Sequence, residues 1–179
     1  MAQRKKSIIG LRFLSPKTIS SILSHAAKLK AKTDTVNLNN QAVVHVFFEP
    51  STRTRLSFEM ATQQCQAFPM MIDVNTSSLT KGESLVDMMR NIEALGAKAV
   101  IVRHADGGVP YFISQQLDIP VINAGDGYHE HPSQGLLDMF TLQENLGDLK
   151  GKHILILGDI LHSRVAKSNI WGLLQMGAK

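Results

Sequence analysis

Ala42-Val43-Val44-His45-Val46-Phe47-Phe48-Glu49-Pro50-Ser51-Thr52-Arg53-Thr54-Arg55 places a β-rich apolar run directly before a polar, helix-opening segment. The run Ala42 to Phe48 reads as a strand, rich in β-branched and aromatic residues. Arg53 to Gln66 reads as a helix. A strand that passes through a short polar turn into a helix is the unit from which parallel α/β sheets are built.

The same alternation continues on both sides. Ser15 caps a helix that Pro16 opens, and Ile19, Ile22, Leu23, Ala26, Ala27 and Leu29 give it an apolar stripe to about Ala31. Thr33 to Gln41 reads as a loop. Beyond the central unit, Pro69 to Val74 is a strand, Thr76 to Glu83 a polar loop, and Ser84 to Leu95 a helix stopped by Gly96. Ala99 to Val102 is a strand, Val109 to Gln116 a short helix, Pro120 to Asn123 a strand and Ala124 to Glu130 a loop. Pro132 to Asn145 is a helix with Leu136, Leu137, Met139, Phe140 and Leu142 mostly inward. Gly147 to Gly151 breaks the pattern, His153 to Leu157 reads as a new strand and Ser163 to Met176 as a new helix. The expected class is α/β, a parallel β-sheet flanked by helices over residues 1–150. Residues 151–179 then open a second α/β unit with one strand and one helix.

Hydrophobic content of 44% with charged content of 19% is that of a soluble globular domain and excludes disorder. The net charge of +4 admits an anionic ligand, but the basic run Arg4-Lys5-Lys6 is too short for a nucleic-acid surface. The other basic residues lack the aromatic interleaving of a single-strand binder. Cys65 is the only cysteine, so neither an intrachain disulfide nor a cysteine zinc site forms, and its helical surroundings suggest a buried inert thiol. No segment reads as a signal peptide or membrane span, and a cytoplasmic location is expected.

Ligands of open α/β sheets sit beyond the carboxyl ends of the strands, and several polar segments fall there. Ser51-Thr52-Arg53-Thr54-Arg55 combines hydroxyls, guanidiniums and a helix N-terminus, a set suited to a phosphate dianion. A serine-capped helix with solvated arginines is the competing reading. Without the glycine run of a Walker loop, it does not imply ATP. Ser78-Leu79-Thr80-Lys81-Gly82-Glu83 offers a lysine on a polar loop. Arg103-His104 follows the third strand, where Arg103 can brace an oxyanion. His131-Pro132-Ser133-Gln134 opens a helix with His131 at the cap and Gln134 one turn on, able to bind an amide. His129 lies near His131, but no third metal ligand is evident. Gly158 to Arg164 has a strand–turn–helix form without the further glycines of a dinucleotide fingerprint.

Phe47 to Glu59 resembles the carbamoyl-phosphate signature of the aspartate and ornithine carbamoyltransferases. His131-Pro132-Ser133-Gln134 with Leu136-Leu137-Asp138 resembles their second shared motif. Ser78 through Glu83, Val102-Arg103-His104 and Gly158 through Arg164 occur in the family's order. Glu49-Pro50, the Leu-Leu-Asp ending and the Ser-Leu-Thr-Lys-Gly-Glu loop resemble the aspartate branch. The resemblance implies carbamoyl transfer from carbamoyl phosphate to L-aspartate, in pyrimidine biosynthesis, without metal or organic cofactor. It implies that Ser51, Thr52, Arg53 and Thr54 bind phosphate, and that Thr54, Arg103 and His131 polarise the carbonyl oxygen. Gln134 would contact the carbamoyl amide, Arg164 an aspartate carboxylate, and Glu49 would link two domains on closure. Ser78 and Lys81 resemble residues reaching a neighbouring subunit's site, which implies a homotrimer. A regulatory subunit or partner enzyme is compatible with the resemblance.

Chains of that family carry a second, aspartate-binding domain of comparable size. The expectation here is therefore a carbamoyl-phosphate domain and the opening of the next, binding carbamoyl phosphate weakly and turning over slowly or not at all. An ornithine or other carbamoyltransferase, or a non-catalytic carbamoyl-phosphate-binding module, are the alternatives. Glu130, where the family often has glutamine, would either raise the basicity of His131 or face solvent.

Overall fold

The computed structural model describes residues 7–74 and 77–179; Arg4-Lys5-Lys6 and Thr76 lie outside them, as does the side chain of Ser78. The elements run α1 (Pro16–Lys30), β1 (Ala42–Phe47), α2 (Thr52–Gln64), β2 (Phe68–Ile72), α3 (Leu85–Ala94), β3 (Ala99–His104), α4 (Val109–Ser114), β4 (Val121–Asp126), α5 (Pro132–Leu146) and α6 (Arg164–Gln175). Short 3-10 turns occupy Leu11–Phe13 and Ser78–Lys81.

The four strands form one parallel sheet in the order β2-β1-β3-β4. The chain leaves β1 toward β2 and returns past it to β3, so the order reverses between β1 and β3. Their carboxyl ends frame the crevice where ligands of such sheets bind. Outside β4, Ile8 donates to the Val121 carbonyl at 2.9 Å and accepts from Asn123 N at 2.8 Å, which covers that edge.

Strand alternation sorts the core. Val44, Val46, Val100, Val102 and Val121 face α3 and α4, meeting Met88, Met89, Ile92 and Ile113. Val43, Ile101 and Ala124 face the other way, with Phe58 of α2 packed against them. Fully burying one of these valine, isoleucine or methionine side chains stabilises the fold by roughly 1.5–3 kcal/mol. A further core joins α1, α5 and α6 through Leu11, Ile19, Leu23, Met139, Leu149 and Leu173.

Alpha5 and α6 meet at two glycines. A methyl group on Gly135 would lie 2.7 Å from Leu11 Cδ1 and 3.1 Å from Ser168 Cβ, and one on Gly172 would lie 2.7 Å from Met139 Cε. That close approach seats α6, and with it Arg164, against the sheet domain.

Several features differ from the sequence reading. Beta4 continues through Ala124-Gly125-Asp126, read above as loop, because the β3–β4 register shifts between Val102 and His104 and absorbs an extra residue there. Residues 153–157 form no strand. A strand requires a hydrogen-bonded neighbour, and this segment has only a start of one, with Ile154 N donating to the Lys179 carbonyl at 2.9 Å. Its alternation survives: Ile154 and Ile156 pack inward while Leu155 and Leu157 are over 80% exposed. Cys65, at the C-cap of α2, is half-buried rather than buried.

Candidate anion cleft

Ser15, Ser84 and Ser163 each accept a backbone N–H within the first turn of the helix they cap. Ser51 does not: its backbone is extended and its side chain makes no cap bond to α2. The first-turn amides of α2 therefore keep unpaired donors at the positive end of the helix dipole. Ser51, Thr52, Arg53 and Thr54 line a cleft of about 1050 Å³. Arg53 is exposed and makes no ion pair among the described residues, so its guanidinium is available to a ligand. The serine-capped alternative is not what the chain adopts.

Beta3 supplies the second wall. Arg103, 12% exposed at its side chain, donates from Nε to Glu49 Oε2 at 3.0 Å and from Nη1 to Thr54 Oγ1 at 3.4 Å. Glu49 Oε2 also accepts from Arg164 Nη1 at 3.1 Å. One carboxylate oxygen thus holds a guanidinium from β3 and another from α6. Burial, and then the neighbouring Arg164 charge, lower the pKa of Arg103, opposed by Glu49; arginine stays protonated regardless. Gly125, at φ +118, lets Arg164 lie against β4, since a side-chain carbon there would sit 3.2 Å from the guanidinium.

The third wall is the start of α5. His131 is the N-cap, 8% exposed, with its ring on the cleft and its N–H donating to Ser168 Oγ at 2.8 Å. Burial first, then the charges of Arg164 and Arg103, lower its pKa to about 4, so the ring is neutral at neutral pH. Glu130 neither faces solvent nor sets this basicity. It is fully buried, turned away from the cleft, and accepts from Leu11 N at 2.7 Å. Burial raises its own pKa. Asp126 braces the loop between, accepting from Asn123 Nδ2 and Glu130 N on one oxygen and Gly108 N on the other.

The cleft therefore gathers Ser51, Thr52, Arg53, Thr54, Arg103, His131, Gln134 and Arg164. Glu49 lies beneath it and borders an adjoining hollow of about 410 Å³ with Tyr128, His162 and Arg164. Lys81 is not among the cleft's lining residues; it is exposed on the turn Ser78–Lys81 after β2. His104 accepts from Asp106 N at 2.9 Å, and His129 bonds Asp126 at 2.8 Å, so neither joins His131. No group of three or more metal-ligating side chains assembles among the described residues. Ser133, Leu137 and Asp138 also line the cleft. Leu137, expected inward, is 54% exposed there. Asp138 had a sequence signal, four residues beyond Gln134 on one helix face.

A parallel α/β sheet whose reversal point carries an uncapped helix end, converging guanidiniums and a neutral histidine defines an anion-binding α/β domain. Residues 6–144 match the family described as aspartate/ornithine carbamoyltransferase, carbamoyl-P binding domain, and the chain belongs to that family. It is 50% identical to an aspartate carbamoyltransferase catalytic subunit of Moorella thermoacetica, over all of this chain and 60% of that protein. It is 49% identical to that of Opitutus terrae, over 99% of this chain and 58% of that protein. The fold matches aspartate transcarbamoylase of Trypanosoma cruzi in complex with carbamoyl aspartate and phosphate, with a TM-score of 0.89 and 29% identity over 96% of this chain and 57% of that one. The same enzyme in complex with carbamoyl phosphate matches with a TM-score of 0.88. The chain spans about 60% of the length of the curated relatives it matches.

Proposed function

We propose that this chain carries the donor half of an aspartate carbamoyltransferase site, transferring the carbamoyl group of carbamoyl phosphate to L-aspartate for pyrimidine biosynthesis. The observation that carries this reading is the convergence, in one cleft, of the uncapped α2 terminus with Arg53, Arg103 and His131. Residues 1–150 form the carbamoyl-phosphate domain, and residues 151–179 open an aspartate-binding one.

The chemistry follows from charge. The aspartate amine attacks the carbonyl carbon, negative charge builds on the carbonyl oxygen, the C–O bond to phosphate breaks, and the amine's proton passes to the departing phosphate. Phosphate is held by Ser51, Thr52, Arg53 and Thr54. The oxyanion is met by Thr54, Arg103 and His131, fixed donors in a partly dry site. A neutral His131 suits that role: Ser133 Oγ lies 3.3 Å from Nδ1, and in the tautomer where Ser133 donates to that nitrogen, Nε2 carries the proton and serves as the donor. Gln134 contacts the carbamoyl amide. Arg164 meets an aspartate carboxylate on release from Glu49, which links the two domains.

We further read Ser78 and Lys81 as residues that serve a neighbouring subunit's cleft in a homotrimer, in the cytoplasm; Lys81 is exposed, as that role requires. No helix among the described residues is long and apolar enough to cross a membrane.

Titration with carbamoyl phosphate, followed by a radiolabelled transfer assay with aspartate and with ornithine, tests the reading. Saturable binding is expected, with aspartate rather than ornithine as the acceptor. Transfer to ornithine would overturn the acceptor. Binding with no transfer even in a full-length form would leave a non-catalytic carbamoyl-phosphate module.

A further inference from the structure

An amide side chain offers a carbonyl oxygen on one side and an NH2 on the other, and which side faces a ligand decides what it reads. Gln134 lines the cleft, and its Nε2 donates to Asp138 Oδ1 at 2.9 Å. A carboxylate only accepts, so the pairing settles the orientation on chemical grounds. The NH2 of Gln134 must turn toward Asp138, which leaves Oε1 as the group available to a ligand.

Asp138 is itself fixed. Its other oxygen accepts from Asn169 Nδ2 of α6 at 2.7 Å, so both carboxylate oxygens are engaged. Gln134 and Asp138 stand four residues apart on α5, which places them side by side one turn from His131. The close crossing of α5 and α6 at Gly135 brings Asn169 near; its Oδ1 lies 3.4 Å from where a methyl on Gly135 would stand.

We propose that Asp138 is a specificity-determining positioning residue: by holding Gln134 with its carbonyl oxygen toward the cleft, it makes the site select a donor bearing an N–H group beside the phosphate. This rests on the donor-site reading above and extends it. Acetyl phosphate, which carries a methyl where carbamoyl phosphate carries its NH2, leaves Gln134 Oε1 unpaired. Sites built to hydrogen-bond a polar group reject analogues lacking it far better than they sort analogues by size. Asn169 makes the selection depend on the seating of α6 as well.

The test measures dissociation constants of the 179-residue chain for carbamoyl phosphate, acetyl phosphate and inorganic phosphate, by calorimetry, in the unaltered protein and in Asp138→Ala, Asp138→Asn and Gln134→Met. The unaltered chain is expected to prefer carbamoyl over acetyl phosphate at least tenfold. Asp138→Ala and Gln134→Met should each cut the preference below threefold, with inorganic phosphate still bound saturably. Asp138→Asn keeps one acceptor for Gln134 and should retain most of the preference, which a loss of general stability would not do. Full preference in Asp138→Ala, or in Gln134→Met should Asp138→Ala fail to fold, overturns the proposal. Equal, saturable binding of both acyl phosphates by the unaltered chain overturns it while leaving the anion site standing. Binding of neither acyl phosphate nor inorganic phosphate overturns the donor-site reading and this proposal with it.

Discussion

Arg164 at the start of α6 donates to Glu49 Oε2 at 3.1 Å, tying that helix to the loop after β1 across 115 residues of sequence. Arg103 shares the same oxygen, so a single carboxylate is divided between two guanidiniums beside the cleft and leaves one positive charge unbalanced. Glu49 thus competes with any anion for their charge. Glu49→Gln should lower stability by about 1 kcal/mol, the scale of a partly exposed ion pair. It should also tighten inorganic phosphate binding about threefold to tenfold. Urea unfolding and phosphate titration of the two proteins check this, and equal or weaker phosphate binding would show that Glu49 does not restrain the arginines.

His131 makes stability depend on pH. Its folded pKa, about 4, lies below the ordinary 6.5, so the unfolded chain takes up the proton first as pH falls. The stabilisation is complete above pH 6.5 and is lost between there and about pH 4, a change of about 3 kcal/mol at most. Glu130, with its folded pKa raised above 4.5, works the other way: stability is lost as pH rises through its folded value. Comparing the unaltered chain with His131→Asn isolates the histidine. The variant should show a shallower loss of stability from pH 7 to pH 5 in urea unfolding, and parallel profiles would contradict the assignment.

Ser168 is fully buried, accepts from His131 N at 2.8 Å and reaches Glu130 Oε2 at 3.4 Å. Ser168→Ala leaves the N-cap amide of α5 without a buried partner, at a cost of about 1–3 kcal/mol. Hydrogen exchange at the His131 amide should accelerate more than at the β3 amides. Uniform protection across both would show that water or a neighbour replaces the hydroxyl.

Gly135→Ala tests the seating of α6. Alanine favours an isolated helix, but here its methyl meets Leu11 and Ser168 at 2.7 Å and 3.1 Å. Overpacking of this kind costs about 1–3 kcal/mol. A thermal midpoint below that of the unaltered chain is expected; a rise would mean helix propensity outweighs the crossing.

Much of this was legible in the sequence because it is local. The β1 run, the polar turn and α2 follow from propensity and patterning within a short window, as does the Ser15 cap. The cleft residues Arg53, Arg103, His131 and Gln134 were visible because each follows an apolar run. What could not be read depends on distant partners. The sharing of Glu49 by Arg103 and Arg164 spans 54 and 115 residues. Glu130 is buried because Leu11, far away in sequence, supplies its hydrogen bond. The run at residues 153–157 has the apolar residues of a strand, but no adjacent strand among the described residues with which to form a ladder.

The central claim is that the α2 terminus and its arginine form the donor site. Titration of the unaltered chain and Arg53→Ala with carbamoyl phosphate, with inorganic phosphate as competitor, tests it most directly. The account predicts one saturable site, displacement by phosphate, and at least a tenfold loss in Arg53→Ala, about 1.4 kcal/mol. Equal affinity in the two proteins, or no displacement by phosphate, would contradict it.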